Sequence, residues 1–240
     1  MALLFACGEK QTPGETGVEE IRFSTADDVR IASTLYRPLN SQPPGIVLLH
    51  SLGGGREQWA PFARAAQRAG IMCLAIDMRG HGDTARKGDR RISYKAFEHD
   101  DWLGVLDDIE AALAELVEQG ASPDDLAVGG SSIGANLALA YAARDAGIQA
   151  AVLVSPGFDY HGVKAEEAMA DIGKCPVLLI TSESDTYSAS TCGALKKMAE
   201  GYSELREYGG GAHGTDIFVT SATAMAEAVD WLGVIIGPKQ

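Results

Sequence analysis

Val128-Gly129-Gly130-Ser131-Ser132-Ile133-Gly134 sets the architecture of this 240-residue chain. The stretch joins an apolar run, Leu126 to Gly130, to an Ala/Leu-rich run typical of a helix, Asn136 to Arg144. In a Gly-x-Ser-x-Gly turn between a strand and a helix, the serine backbone is strained and only glycine fits at the two flanking positions. The pattern therefore predicts that the Ser132 hydroxyl projects above the end of a sheet.

The same turn directs the amide N–H of Ile133 and the N-terminus of the helix towards one point, where they could hold a negatively charged oxygen. Glycine and serine are common residues, so an isolated Gly-x-Ser-x-Gly also arises by chance in loops. The strand before it and the helix after it are what favour a nucleophilic serine at Ser132.

The composition is that of an ordinary globular domain. Hydrophobic residues make up 46% of the chain and the mean hydropathy is −0.02, and no apolar run is long enough to cross a bilayer. The length suits one α/β domain with a fully buried sheet. The formal net charge of −13 argues against nucleic acid and anionic membrane surfaces as partners.

The cysteines give no sign of a metal or redox site. The four are Cys7, Cys73, Cys175 and Cys192. They show no Cys-x-x-Cys spacing and no clustering with histidine, so we expect neither zinc nor any other metal or cofactor. Cys73 lies in a strand-like run and is predicted to be a core residue.

The N-terminus has a signal of its own. The stretch Ala2-Leu3-Leu4-Phe5-Ala6-Cys7-Gly8 resembles the end of a bacterial lipoprotein signal, and a polar, linker-like tail follows as far as Gly17. Phe5 is bulkier than usual there, and the charged and long apolar parts of a secretory signal are missing. We expect residues 1–17 to be this segment and linker, with a lipid on Cys7 as the only membrane attachment and a cell-envelope location. The alternative is an apolar segment that frays or packs, in a cytoplasmic protein.

Strands alternate with helices along residues 18–240, which we expect to form one domain. Two alternating runs, Glu20 to Ser24 and Arg30 to Tyr36, predict an antiparallel hairpin. Further strands are predicted at Ile46 to Leu49, Met72 to Ile76, Leu126 to Gly130, Ala150 to Val154, Val177 to Thr181 and Glu204 to Tyr208. Helices are predicted at Glu57 to Ala69, Tyr94 to Gln119, Asn136 to Arg144, Ala189 to Glu200 and Ala222 to Leu232. This order predicts a mainly parallel, eight-stranded α/β sheet with helices on both faces and ligands at the carboxyl ends of its strands.

A serine nucleophile needs a base within hydrogen-bond reach and a carboxylate that orients the base. His213 follows the last predicted strand in Gly209-Gly210-Gly211-Ala212-His213-Gly214, a very flexible loop from which a base could swing over Ser132. Asp185 follows the preceding strand, which gives the order serine, acid, histidine. The other histidines are His50, His81, His99 and His161.

Together these motifs resemble the α/β-hydrolase fold, and within it the small lidless esterases and dienelactone-hydrolase-like proteins. The resemblance covers Val18 to Leu232. It is carried by His-x-x-Gly-Gly at His50, Asp-x-Arg-Gly-His-Gly at Asp77, the Gly-x-Ser-x-Gly turn, the acid at Asp185, and Gly-x-His-Gly at Gly211 to Gly214.

The resemblance implies that Ser132 is the nucleophile, His213 the general base, and Asp185 the group that orients His213. It also implies an oxyanion hole formed by the amides of Leu52 and Ile133. Alternatives remain: Asp185 could be a helix N-cap, with Asp159 or Glu183 as the acid. His50 and Asp77-Arg79-His81 are expected to brace the oxyanion loop, while Tyr160 and His161 either touch substrate or lie on the surface.

Only Ser155 to Lys174 separates the two strands between which lidded relatives insert a cap, so we expect no cap and a shallow, open pocket. The expected activity is metal-free hydrolysis of small, short-chain carboxylic esters through an acyl-enzyme. Alternatives with the same triad are a thioesterase, acyltransferase, peptidase or perhydrolase, and a non-catalytic binding protein is a further alternative. The sequence carries no signal for an oligomeric state.

Overall fold

The computed structural model describes residues 17–237, so the predicted lipoprotein-like segment at Cys7 lies outside the described residues. The main sheet consists of β1 (Gly17–Ser24), β2 (Arg30–Arg37), β3 (Gly45–Leu49), β4 (Met72–Ile76), β5 (Leu126–Ser131), β6 (Ile148–Val154), β7 (Val177–Ser182) and β8 (Ser203–Tyr208). The helices are α1 (Ala60–Arg68), α2 (His99–Leu103), α3 (Val105–Glu118), α4 (Ile133–Arg144), α5 (Ala165–Asp171), α6 (Thr186–Met198), α7 (Ile217–Thr220) and α8 (Ala224–Ile236).

The sheet has the strand order β1-β2-β4-β3-β5-β6-β7-β8. Strand β2 pairs antiparallel with both β1 and β4, and every other neighbouring pair is parallel. The prediction of an eight-stranded, mainly parallel sheet that begins with a hairpin is confirmed. Because β3 to β8 all run in one direction, their carboxyl ends meet at a single edge, and the segments that follow them can converge there.

The sheet is buried on both faces, which explains the uninterrupted apolar runs of its central strands. Alternate side chains of a strand point to opposite faces. In β3, Val47 and Leu49 join the core cluster that also contains the buried residues of α3 and α4. Ile46 and Leu48 join the second cluster, with residues of α1 and α8. Helices therefore cover both faces, as the alternation of strands and helices predicted.

The prediction of one helix from Tyr94 to Gln119 is wrong. The segment divides into a 3-10 turn at Tyr94–Ala96, then α2 and α3. Glu98 has extended backbone angles and starts α2 through a capping box with Asp101. Gly104 separates α2 from α3, and a Cβ atom there would lie 2.6 Å from Nη1 of Arg79. The apolar periodicity is continuous through these breaks, so it could not reveal them.

No cap domain is present within residues 17–237, as predicted. Between β6 and β7 the chain forms only a small antiparallel hairpin, Asp159–Tyr160 with Val163–Lys164, followed by α5. We call residues 159–164 the β6–β7 hairpin.

No single helix in the described range is long and apolar enough to cross a membrane. The segments Gly214–Thr220 and Ala224–Ile236 meet the length and composition test only when they are combined across a bend of 112°.

Candidate active site

Ser132 occupies a strained turn between β5 and α4. Its backbone angles, φ 57° and ψ −123°, lie in a region that non-glycine residues rarely adopt. A Cβ atom on Gly130 would collide with the backbone of Gly134, and one on Gly134 would lie 2.6 Å from the carbonyl oxygen of His50. Both glycines are therefore required for the turn, which leaves the Ser132 side chain at the carboxyl edge of the sheet.

Three residues that are distant in sequence meet at this edge. Nε2 of His213 lies 2.9 Å from Oγ of Ser132, and Nδ1 of His213 lies 2.6 Å from Oδ2 of Asp185. A carboxylate that accepts the Nδ1–H proton leaves Nε2 free to accept the serine proton. An imidazole held in this way can act as a general base towards the hydroxyl.

Asp185 both contacts His213 and caps a helix. It follows β7, and its Oδ1 accepts a 3.4 Å hydrogen bond from the amide of Ser188, which makes it the N-cap of α6. Partial burial raises the pKa of Asp185, but hydrogen bonds from His213 and Ser188 outweigh that effect and hold the pKa below its usual value. The N-cap interpretation and the contact with His213 are therefore compatible.

The two other carboxylates considered for this position lie elsewhere. Oδ1 of Asp159 accepts a hydrogen bond of 2.7 Å from the amide of Gly162 in the β6–β7 hairpin. The Glu183 residue is exposed to solvent. Asp185 is the carboxylate that the structure brings to His213.

The loop that carries His213 is held on both sides, although its glycines predicted great flexibility. Ser182 donates a 2.5 Å hydrogen bond to the carbonyl of Ala212, and Ser155 accepts a 2.9 Å bond from the amide of Gly214. These contacts fix the backbone immediately before and after the imidazole. The imidazole lies over Ser132, where the position of this loop after the last strand predicted a base.

The sequence analysis did not predict that Ser182 and Ser155 hold the His213 loop, although their positions in the sequence follow a simple pattern. A serine stands at or just after the carboxyl end of four parallel strands: Ser51 after β3, Ser131 in β5, Ser155 after β6 and Ser182 in β7. The hydroxyls of Ser51 and Ser131 lie 2.7 Å apart, and Gly214 packs directly against both. Small polar residues that recur at strand ends therefore indicate the network beneath the histidine loop.

The two amides predicted to form an oxyanion hole belong to Ile133 and Leu52. Each lies in a local structure that does not use its N–H in a backbone hydrogen bond of a helix or turn. Ile133 is the first residue of α4, and amides in a first helical turn have no acceptor within the helix. Leu52 is a central residue of the turn closed by a 3.0 Å hydrogen bond from the Gly54 amide to the Ser51 carbonyl. Gly53, with φ 70°, completes that turn.

His50 braces this turn. Its side chain is buried, its Nδ1 lies 2.7 Å from the Ser51 carbonyl, and its Nε2 accepts a 3.1 Å bond from the Met78 amide. This arrangement requires Nδ1–H and an unprotonated Nε2. Burial lowers the pKa of His50, which favours the same neutral form.

The Asp-x-Arg-Gly-His-Gly stretch has a supporting role as well. Asp77 accepts hydrogen bonds from the backbone and guanidinium of Arg56 and from the amide of Asp83. The His81 ring stacks on Tyr94, with centroids 4.0 Å apart. Burial, together with the nearby His50, lowers the pKa of His81 to about 4, so the imidazole is neutral at physiological pH.

Tyr160 and His161 occupy different surroundings in the β6–β7 hairpin. His161 stacks on the buried ring of Trp102, with centroids 4.9 Å apart. Tyr160 is half-buried, and its ring packs edge-on against Tyr187, with centroids 5.8 Å apart.

Metal coordination has no counterpart in the described geometry. Residues 17–237 contain no group of three or more histidine, cysteine or acidic side chains arranged to hold a metal ion. Cys73 and Cys192 are buried, as was expected for Cys73, and burial raises the pKa of Cys175 to about 11.

The strand order, the Gly-x-Ser-x-Gly turn after β5, the acid after β7 and the histidine after β8 define an α/β hydrolase. The family model described as serine aminopeptidase, S33, matches residues 40–190, and the chain belongs to this family. A curated relative is the acyltransferase drtE of Aspergillus calidoustus, 31% identical over 152 residues. The match covers 62% of this chain but 46% of that relative, so the chain spans less than half of the relative's length.

Solved structures share the fold at low sequence identity. The α/β hydrolase GrgF from Penicillium sp. sh18 has a TM-score of 0.77 at 15% identity, covering 92% of this chain and 100% of that one. The Pyrococcus furiosus esterase Pf2001 has a TM-score of 0.71 at 18% identity, covering 92% and 94%. A dienelactone hydrolase from Anabaena variabilis has a TM-score of 0.67 at 19% identity, covering 91% and 96%. The predicted resemblance to α/β hydrolases is confirmed.

Proposed function

We propose that this chain is a serine hydrolase that cleaves short-chain carboxylic esters through an acyl-enzyme intermediate. The observation that carries the proposal is the continuous hydrogen-bonded path from Oγ of Ser132 through His213 to Asp185, with distances of 2.9 and 2.6 Å. A serine hydroxyl in such a path is activated as a nucleophile at neutral pH.

In the first half of the reaction, Oγ of Ser132 attacks the ester carbonyl carbon while its proton moves to Nε2 of His213. The carbonyl oxygen becomes an oxyanion, which the amides of Leu52 and Ile133 stabilise. The tetrahedral intermediate then collapses: the bond to the alcohol oxygen breaks, His213 gives its proton to the departing alcohol, and the acyl group remains on Ser132.

The second half repeats these steps with water as the nucleophile. His213 takes a proton from water, the hydroxyl attacks the acyl carbon, and Oγ of Ser132 leaves with the proton returned by His213. Asp185 stays ionised throughout and stabilises the imidazolium that forms in each half. Its lowered pKa suits this role.

A preference for short acyl chains is supported by the missing cap. The β6–β7 hairpin and α5 are the only regular elements between β6 and β7, so little apolar surface is available to cover a long acyl chain.

An acyltransferase activity is the second candidate, because the matched curated relative bears that name. The residues and the acyl-enzyme would be the same, and an acceptor alcohol would replace water in the second half. Adding a primary alcohol to an ester assay distinguishes the two: a transferase forms the new ester in preference to the free acid.

Replacing Ser132 with alanine tests the shared chemistry. Turnover of p-nitrophenyl acetate should fall at least about a thousandfold without loss of folding, and a fluorophosphonate probe should label the wild type but not the variant. Ser190→Ala is the matched control, since Ser190 is exposed on α6. Wild-type turnover in Ser132→Ala would refute the proposal, and a wild type that resists the probe would indicate a non-catalytic binding protein.

A further inference from the structure

A short hairpin that follows the Asp-x-Arg-Gly-His-Gly stretch concentrates positive charge in an acidic chain. Its sequence is Arg86-Lys87-Gly88-Asp89-Arg90-Arg91, and its two strands pair antiparallel. We call residues 86–91 the basic hairpin. It carries four of the 20 lysines and arginines, although the formal net charge of the whole chain is −13. The proposed reaction uses none of these four side chains.

Each cross-strand pair of the basic hairpin places one cation opposite another. Arg86 pairs with Arg91, and Lys87 pairs with Arg90. Residues directly opposite one another have Cβ atoms about 5 Å apart, and like charges at such positions destabilise the pairing of the strands. A bound anion would relieve this repulsion, whereas a hairpin with a purely structural role would be more stable with charges of opposite sign.

Most of these charges have no partner within residues 17–237. Lys87 forms a 2.6 Å ion pair with Asp27, and Arg86 donates a 2.8 Å hydrogen bond to a backbone carbonyl of the turn. Arg90 and Arg91 are exposed and form no ion pair in the described range. Arg86 and Arg91 lie opposite each other and so share one face of the hairpin. That face carries two cations without a carboxylate at ion-pair distance.

The basic hairpin is fixed to the sheet at its base and at its tip. The amide of Gly88 donates a 2.7 Å hydrogen bond to the carbonyl of Asp28, in the turn between β1 and β2. At the base, the buried hydroxyl of Thr84 accepts a 2.8 Å bond from the amide of Ala32 in β2. The cations therefore have a defined place in the fold before a ligand binds.

The basic hairpin rejoins the body of the chain beside the predicted oxyanion hole. The amide of Tyr94 donates a 3.2 Å hydrogen bond to the carbonyl of Gly80, and its ring stacks on His81. A Cβ atom on Gly53 would lie 3.0 Å from the phenol oxygen of Tyr94. Gly53 belongs to the same turn as Leu52, so one segment connects this turn to the hairpin.

The strand order gives the distance from Ser132 to the tip of the basic hairpin. Because β1 is antiparallel to β2 and β2 is antiparallel to β4, the turn between β1 and β2 lies at the carboxyl edge, as Ser132 does. Ser132 follows β5, and β2 and β1 are three and four strands away in the order β1-β2-β4-β3-β5. At about 4.8 Å per strand, the separation is about 14–19 Å along this edge.

We propose that the basic hairpin binds a phosphate group at the end of the leaving group, so that the preferred acyl donors carry a short acyl chain on a long phosphorylated arm. The proposal rests on the acyl-enzyme chemistry proposed for Ser132. The long part of the substrate is the leaving group because the missing cap leaves little apolar surface for a long acyl chain.

Phosphate is the anion that this arrangement fits best. Two arginines on one face can donate several charge-assisted hydrogen bonds to a single phosphate, a geometry that guanidinium groups favour. An extended polyanion such as nucleic acid fits less well, because the rest of the chain is acidic and would repel it beyond the hairpin.

A thioester on such an arm reacts by the steps already given. Oγ of Ser132 attacks the carbonyl carbon, the bond from that carbon to sulfur breaks, and His213 gives its proton to the departing thiolate. The phosphorylated thiol leaves, and water hydrolyses the acyl-enzyme to the free acid.

Acetyl-coenzyme A and S-acetylpantetheine test the proposal, because they carry the same thioester and only the first carries phosphates. The wild type should favour acetyl-coenzyme A by about tenfold or more in kcat/KM, as expected for charge-assisted hydrogen bonds. Without a cationic site the ratio should fall below one, since the acidic chain repels an anion. The preference should be smaller in about 0.5 M NaCl than in about 0.02 M NaCl, because salt screens exposed charges.

Substitution of the paired arginines locates the site. Arg86→Gln and Arg91→Gln should each lower the ratio by about threefold, and the double variant should bring it to one or below. The ratio is taken within one preparation, so differences in the folded fraction cancel. Arg68→Gln is the matched control and should keep the wild-type ratio, because Arg68 is exposed in the last turn of α1, which leads to the opposite edge of the sheet.

The site is overturned if the wild type shows a ratio near or below one, or if the double variant keeps the wild-type ratio. It is also overturned if the wild type hydrolyses p-nitrophenyl acetate but neither thioester, and in that case the proposed ester hydrolysis stands. Failure of the proposed function has a different signature: neither p-nitrophenyl acetate nor either thioester is hydrolysed, and Ser132 resists the fluorophosphonate probe.

Discussion

The hydroxyl of Ser182 donates a 2.5 Å hydrogen bond to the carbonyl oxygen of Ala212, the residue immediately before His213. Ser182 is the last residue of β7, and Asp185 follows it by three positions. One short segment therefore positions the imidazole twice, through the backbone that precedes it and through the carboxylate on its Nδ1. This arrangement explains how a run of three glycines can carry a residue whose ring must be held accurately.

Replacing Ser182 with alanine should release this side of the loop. We expect kcat for p-nitrophenyl acetate to fall by about tenfold with little change in KM, because a misplaced base affects the transition state more than substrate binding. Labelling by a fluorophosphonate should slow in parallel. Ser184→Ala is the control, since Ser184 is exposed two residues further on. An unchanged kcat in Ser182→Ala would show that the glycine loop positions His213 without this contact.

The two contacts of Asp185 can be separated by substitution. Asparagine remains a good N-cap but cannot stabilise the imidazolium, whereas alanine removes both contacts. We expect kcat to fall by about a thousandfold or more in Asp185→Asn and in Asp185→Ala. Asp185→Ala should in addition be less stable than Asp185→Asn, by about 0.5–2 kcal/mol, because only asparagine keeps the N-cap hydrogen bond. Urea unfolding measures the difference, and equal stabilities would contradict the capping role.

The pKa of Asp185 adds a pH dependence to the same pair of proteins. Its pKa in the folded chain lies below the usual 3.8. The ionised carboxylate therefore contributes stability above about pH 3.8, and this contribution is lost as the pH falls through the lowered pKa. The stability gap between the wild type and Asp185→Asn should shrink in acid. A gap that stays constant down to the acid limit of folding would show that the His213 contact does not stabilise the folded chain.

The sequence was sufficient for the architecture and for the residues that meet at the sheet edge. The glycines on either side of Ser132 predicted the turn because no larger residue fits at those two positions. The structure shows both close contacts, one at Gly130 and one at Gly134. Strand positions followed from apolar runs such as Ile46 to Leu49, which are buried on both faces. These features depend on local geometry and burial, and local sequence encodes both.

The features that could not be predicted depend on contacts between distant segments. The break at Gly104 is crowded by Arg79, and the tethers of the His213 loop come from serines on other strands. A hydroxyl pairs equally well with many acceptors, so its sequence position does not reveal its partner. The same is true of Asn136, whose three hydrogen bonds to the segment around the β6–β7 hairpin span 21 and 27 residues.

Removing the positive charge of Arg79 should destabilise the chain in a pH-dependent way. Arg79 makes a 2.7 Å ion pair with Asp108, which is fully buried in α3. Arg79→Met would leave a buried carboxylate without its cation, which typically costs about 3–5 kcal/mol of unfolding free energy. Arg144→Met is the matched control: Arg144 pairs with Glu110 and both side chains are exposed, so we expect a loss of about 1 kcal/mol or less.

The sign of the pH dependence follows from Asp108. Burial raises its pKa from 3.8 to about 6 even with Arg79 opposing the rise, so the folded chain binds this proton more tightly than the unfolded chain does. The free energy of unfolding of the wild type therefore falls as the pH rises from about 3.8 to about 6. In Arg79→Met the pKa of Asp108 in the folded chain is higher still, so the free energy of unfolding continues to fall at higher pH. Urea unfolding should show a larger deficit for Arg79→Met at about pH 8 than at about pH 5. Equal deficits would mean that Asp108 keeps its proton state when Arg79 is removed, and that the loss comes from packing rather than charge.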